Sequence, residues 1–231
     1  MARRLQLAGT TTKIAYERAG GGEALVFLHG IGGNRTNWNE QLTFFAADYD
    51  AVAWDARGYG DSDDGEPALE FARFADDLAL FLEGLSIENA HIVGLSMGGM
   101  IALDLVARYP ERVRTLTLAG SSAGLGILPD QMKQEFVEKR LSPLERGLSP
   151  ADIAPTVVDV LLGKQNGEAV RARLIESLAS VREEPYKRTI KAIINTDFRE
   201  VLPGINVPAL VIVGSDDRVL PPENSEYLAQ Q

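Results

Sequence analysis

The 231-residue chain is 45% hydrophobic and 24% charged, an ordinary composition for one main folded core carrying an insertion. Its formal net charge of −10 opposes phosphate backbones and argues against a nucleic-acid partner, and the complete absence of cysteine excludes disulfides, thiolate metal sites and a cysteine nucleophile. No apolar run approaches the roughly 18 residues that span a bilayer, and the start, Met1-Ala-Arg-Arg-Leu-Gln-Leu, lacks the apolar stretch of a signal peptide, so no membrane anchor and a cytoplasmic location are expected.

Residues 3–7 and 13–18 alternate polar and apolar side chains and predict antiparallel edge strands. Ala24-Leu-Val-Phe-Leu28, Ala51-Val-Ala-Trp54, Ala90-His-Ile-Val-Gly94, residues 113–118 and Ala209-Leu-Val-Ile-Val213 are near-continuous apolar runs, the pattern of strands covered on both faces. Between them, residues 36–47, 71–85 and 97–109 repeat apolar positions three and four apart, which predicts helices. Strand and helix in alternation predict an α/β fold with a mostly parallel sheet and helices on both faces.

Between Ser122 and Val207 strands vanish and helix starts accumulate. Ser142-Pro-Leu-Glu145 reads as a capping box and Ser149-Pro-Ala-Asp152 as a close variant, each with proline at the first helical position. Ile153, Val157, Val160 and Leu161 share one helix face, as do Val170, Leu174, Leu178 and Val181. The expected organisation is a discontinuous sheet core, residues 1–122 and 207–231, with a helical cap over residues 123–206.

Gly94-Leu-Ser-Met-Gly-Gly99 falls where an apolar strand gives way to a helix, the context of a G-x-S-x-G nucleophile elbow. Glycines at 94 and 98 let strand and helix approach while Ser96 occupies a strained turn, and the Met97 N–H at the helix start can face a developing oxyanion. His29-Gly-Ile-Gly-Gly33 follows the run 24–28, and Asp55-Ala-Arg-Gly-Tyr-Gly-Asp-Ser62 follows the run 51–54. Val213-Gly-Ser-Asp-Asp-Arg-Val-Leu-Pro221 follows the last apolar run and offers two carboxylates, Asp216 and Asp217, either of which could equally be a turn aspartate.

These motifs, in this order, resemble α/β-hydrolase-fold serine hydrolases, closest to the branch of 3-oxoadipate enol-lactonases and carboxylesterases; residues 197–208 are especially similar to that branch. The resemblance implies Ser96 as nucleophile, Asp217 as the acid of a triad, and the N–H groups of Ile31 and Met97 as the oxyanion hole. It implies no metal and no organic cofactor, and a small-molecule ester or lactone as partner. His29 is expected to bind neighbouring backbone, and the charged pair of the 55–62 segment to fix loops. C–C bond hydrolysis of ring-cleavage products is the alternative chemistry within the family. An acidic lactone would need a cation, and residues 123–206 offer Arg140, Arg146, Arg171, Arg173, Arg182 and Arg188, each expected to be a solvated helix residue.

A serine hydroxyl needs a base, and the family order is Ser, acid, His. Only 14 residues follow Asp217, whereas a further helix and strand with their loops would take about 25. His91 lies five residues before Ser96 along a strand, about 16 Å away at roughly 3.3 Å per residue, and cannot be the base. The expectation is that the last strand, helix and histidine are absent from these 231 residues, so that the chain alone is nearly inactive. A base from another chain and a non-catalytic binding protein remain the other two readings.

Overall fold

In the computed structural model, which describes residues 3–65, 68–164 and 167–231, seven strands form one sheet in the order β1-β2-β4-β3-β5-β6-β7. In chain order these are β1 (Arg3–Gln6), β2 (Lys13–Gly20), β3 (Ala24–Leu28), β4 (Asp50–Trp54), β5 (Ala90–Leu95), β6 (Val113–Ala119) and β7 (Ala209–Ile212). The β1/β2 and β2/β4 pairs are antiparallel and all others are parallel. The alternating N-terminal strands are therefore antiparallel as expected, but only β1 is an edge; β2 is clasped between β1 and β4.

Strand periodicity explains how the sheet is covered. Every residue of β3 and β4 is buried, and alternate side chains feed opposite layers. Leu25, Phe27, Ala51 and Ala53 pack with Leu42 of helix α1 (Asn39–Phe45), whereas Val26, Leu28, Val52 and Trp54 pack in the larger core with α2 (Ala72–Gly84) and α3 (Met97–Arg108). The helix expected over 36–47 is split, because Asn34 caps a 3-10 turn, Arg35–Trp38, before α1 begins. β7 departs from the expected double cover: it pairs with β6, and Leu210 and Ile212 are about half exposed.

Four helices separate β6 from β7: α4 (Asp130–Glu145), α5 (Pro150–Leu161), α6 (Glu168–Ala179) and α7 (Glu183–Ile193). Ser149 caps α5 as read from the sequence, its hydroxyl accepting from the Asp152 N–H while the Asp152 carboxylate accepts from the Ser149 N–H. Ser142 starts no helix. Phe136, Leu141 and Leu144 are buried and carry α4 through Pro143 near its end, where the lost N–H costs one bond of the final turns. The buried face of α5 is Ile153, Ala154, Val157 and Val158; Leu161 is exposed, and on α6 Leu178 is buried while Val170 is exposed.

The two ends of this helical segment are stitched together. The Phe198 N–H donates to the Ala123 carbonyl at 2.7 Å, and the Gly126 N–H to the Thr196 carbonyl at 2.8 Å. Gly124, at φ +116, lies so close that a Cβ there would overlap the Thr196 carbonyl oxygen. The final helix, α8 (Pro222–Gln230), packs beside β7 and buries Leu228. Among the described residues no helix is long and apolar enough to cross a membrane.

Asp55 and Arg57, read as one loop-fixing pair, take separate partners. Asp55 is fully buried and accepts from the N–H groups of Arg35 (2.7 Å) and Asp61 (2.9 Å) and from the Arg35 guanidinium. Buried Arg57 forks onto buried Asp77 of α2, with Nη2 to Oδ1 at 2.6 Å. Burial nevertheless holds the Asp77 carboxyl above its ordinary pKa, so desolvation outweighs the attraction of Arg57. Asp77→Ala, which leaves Arg57 buried and unpaired, is expected to cost about 3–5 kcal/mol in urea denaturation, and Arg57→Met combined with Asp77→Leu far less than that.

Candidate active site

The junction between β5 and α3 is a single residue, Ser96, held at φ 52 and ψ −114. For a residue with a Cβ such a backbone costs on the order of 1–3 kcal/mol and persists only when the surroundings over-determine it. Here they do. The Ser96 N–H donates to the Ala119 carbonyl of β6 at 2.9 Å, and its carbonyl accepts from the N–H groups of Gly99 (2.9 Å) and Met100 (3.2 Å) and from the Ser121 hydroxyl (2.9 Å). A Cβ at Gly94 would overlap the Gly98 carbonyl, one at Gly98 the Leu28 carbonyl, and one at Gly99 the Ser121 side chain. Glycine at these positions is thus what lets α3 start against β3 and β5. Met97, fully buried, is the first residue of α3, where an N–H has no acceptor in its own helix and the helix dipole is positive.

The loop after β3 approaches from the side. The Gly33 N–H closes a turn onto the Gly30 carbonyl at 3.0 Å, with Gly32 at φ +80 as a type II turn requires, and Ile31 occupies the corner. A Cβ at Gly30 would stand 3.4 Å from the Ser96 Cβ, so this turn and Ser96 are in close contact. Gly32 also seats α6, since a Cβ there would meet Leu178, and the Ser177 hydroxyl donates to the Gly32 carbonyl at 3.3 Å.

His29 anchors this loop, as the sequence suggested. Its Nδ1 lies 2.9 Å from the Gly30 carbonyl and its Nε2 3.0 Å from the Ala56 N–H, so Nδ1 donates and Nε2 accepts. Both nitrogens are engaged with backbone, and burial pushes the imidazole below its ordinary pKa. His91 sits toward the other end of β5, bonded to Thr115 Oγ1 at 2.8 Å and Glu23 Oε2 at 3.1 Å. Neither histidine of the chain is therefore available to the Ser96 hydroxyl.

Ser96, Ile31 and Asp217 border one cavity of about 470 Å³, roofed by α4, α5 and α6; Met97 is fully buried and is not among its lining residues. Asp217 Oδ1 accepts from the N–H groups of Val219 (3.0 Å) and Leu220 (2.9 Å), while a Cβ at Gly120 would lie 3.4 Å from Oδ2 on the cavity side. Asp216 turns away, its carboxylate accepting from the Lys164 N–H at 2.6 Å. Of the two acids, Asp217 borders the cavity and Asp216 is not among the residues that line it. Two residues of the site escaped sequence reasoning. Ser121, which no motif marks, braces Ser96; Arg140 was expected to be solvated, yet it is 3% exposed and lines the cavity. Among the described residues no cluster of side chains suits a metal ion.

Comparison with known proteins agrees with this architecture. Residues 23–146 match the family model described as alpha/beta hydrolase fold. The chain is similar to 3-oxoadipate enol-lactonase 1 of Acinetobacter baylyi, 28% identical over 224 residues that cover 96% of this chain and 82% of that protein. Among solved structures it is similar to an esterase from Exiguobacterium antarcticum, at TM-score 0.89 and 25% identity over 100% of this chain and 87% of the other. The enol-lactonase from Burkholderia xenovorans superposes at TM-score 0.86 and 25% identity over 99% and 87%. The chain belongs to the α/β hydrolase fold family.

Two measurements follow from the local geometry. Ser96→Gly relieves the positive φ at a cost in unfolded-state entropy, and is expected to exceed Ser96→Ala in stability by about 1 kcal/mol in urea denaturation. His29 has a lower pKa folded than unfolded, so below about pH 6.5 the unfolded chain takes up the proton first. Its contribution is complete above that pH and is lost as the pH falls; the urea midpoint should drop on acidification from about pH 7.5 to 5.5, and less steeply in His29→Gln.

Proposed function

We propose that the protein is a serine hydrolase of carboxylic esters or lactones, with the four inserted helices as a cap over the site. The observation that carries this reading is the backbone of Ser96, whose strained turn is held by four hydrogen-bonding groups and presents the side chain to a cavity shared with Asp217. In this reading Ser96 is the nucleophile elbow and its Oγ attacks the acyl carbon. The N–H groups of Ile31 and Met97 receive the charge that develops on the carbonyl oxygen. Asp217 orients the base that takes the Ser96 proton and returns it to the leaving oxygen. Similarity to an enol-lactonase and an esterase supports the ester and lactone class.

The base comes from outside these 231 residues, because His29 is committed to backbone and His91 to Thr115 and Glu23. Without it, turnover falls by about a million-fold, as in a serine protease stripped of its histidine.

The test is p-nitrophenyl acetate turnover by the full gene product. Ser96→Ala is expected to abolish it, Asp217→Asn to lower kcat by about 10⁴-fold, and Asp216→Asn to change it little. Turnover that survives Ser96→Ala would overturn the reading.

A further inference from the structure

The arginines over the cavity are not equivalent. Arg173 borders it but pairs with Glu40 at 2.9 Å, Arg171 pairs with Asp159 at 2.8 Å, and Arg182 with Asp64 at 2.9 Å. Arg140 of α4 also lines the cavity, is 3% exposed, and forms no ion pair with an acid among the described residues. Its guanidinium carbon stands 4.3 Å from the Phe136 ring centroid, and its Nε is buried with no hydrogen-bond partner. Its polar neighbour is the hydroxyl of Tyr186, itself buried without a well-formed hydrogen bond. Two buried polar groups, one of them a cation, thus stand side by side with bonding capacity unspent.

A buried charge without a counter-charge is costly, and an acid on the protein is the usual remedy. Here the Phe136 ring lies against the guanidinium, in a cavity that Leu125, Val157 and Val158 also line, and apolar surroundings of this kind would strengthen any ion contact made there. We infer that Arg140 is a carboxylate anchor: the ester or lactone cleaved at Ser96 carries an anionic carboxylate away from its scissile bond, and Arg140 selects for it. The planar guanidinium matches a carboxylate in two parallel hydrogen bonds. This rests on the hydrolase reading for what happens next to the bound molecule, but not for the binding itself.

The experiment uses the full gene product carrying Ser96→Ala, titrated calorimetrically with monomethyl glutarate and with its neutral analogue, in which the free carboxylate is a primary amide. The anion is expected to bind about 10- to 100-fold more tightly than the amide, Arg140→Gln to erase the difference, and Arg140→Lys to restore part of it. Equal binding of the two, or binding of neither, with Arg140 intact overturns the anchor whether or not the variants fold. The active protein is then compared on the p-nitrophenyl monoester of glutarate and on p-nitrophenyl valerate. Turnover without preference for the anionic ester sinks the anchor alone, whereas anion-selective binding without turnover sinks only the hydrolase reading.

Discussion

The backbone of Ser96 can remain at positive φ only because α3 starts in near-contact with β3 and β5, and that approach depends on Gly94 and Gly98 having no side chains. The parallel order β3-β5-β6 supplies the rest: Ala119 at the end of β6 receives the Ser96 N–H, and Ser121 just beyond it braces the Ser96 carbonyl. Local strain is thereby balanced by long-range pairing, so the exposed turn is also one of the most constrained points of the sheet. Its placement at the carboxyl ends of the parallel strands is where ligands bind in open α/β sheets.

The loops around that point are fixed by polar groups that are themselves buried. His29 ties the Gly30–Gly33 turn to Ala56, Asp55 gathers Arg35 and Asp61, and Arg57 reaches Asp77 on α2. Each of these side chains satisfies backbone or an opposite charge, which is why burial is tolerable. Arg140 is different in kind, because among the described residues no acid pairs with it. Aliphatic and aromatic side chains from the helices line much of the cavity around it, and such surroundings strengthen the pull of an unmatched cation.

The inner sheet was legible because its evidence is local. The runs 24–28 and 51–54 are apolar at nearly every position, and the glycines around Ser96 mark a turn that few other residues could make. The interval between β6 and β7 was legible as helical but not in detail. Ser142-Pro-Leu-Glu145 has the composition of a helix start, yet tertiary burial of Phe136 and Leu144 carries α4 through it. Arg140 resembles its exposed neighbours in sequence and differs in being buried where α4 packs on α7, beside Tyr186. Family resemblance pointed to Asp217 over Asp216, but their different partners, Lys164 for one and Val219 and Leu220 for the other, are contacts that the motif does not encode.

The hydrogen bonds joining Ala123 to Phe198 and Gly126 to Thr196 give the helical segment two ends that meet. To the sheet, everything between them is one long excursion, and doubling the length of such an excursion costs only about 0.6 kcal/mol of closure entropy. Insertions, deletions or wholesale exchange of that excursion would leave the β6/β7 register and the Ser96 turn where they are. The fold thus separates the helices that roof the cavity from the turn that holds Ser96, and a new roof would need no new turn beneath it.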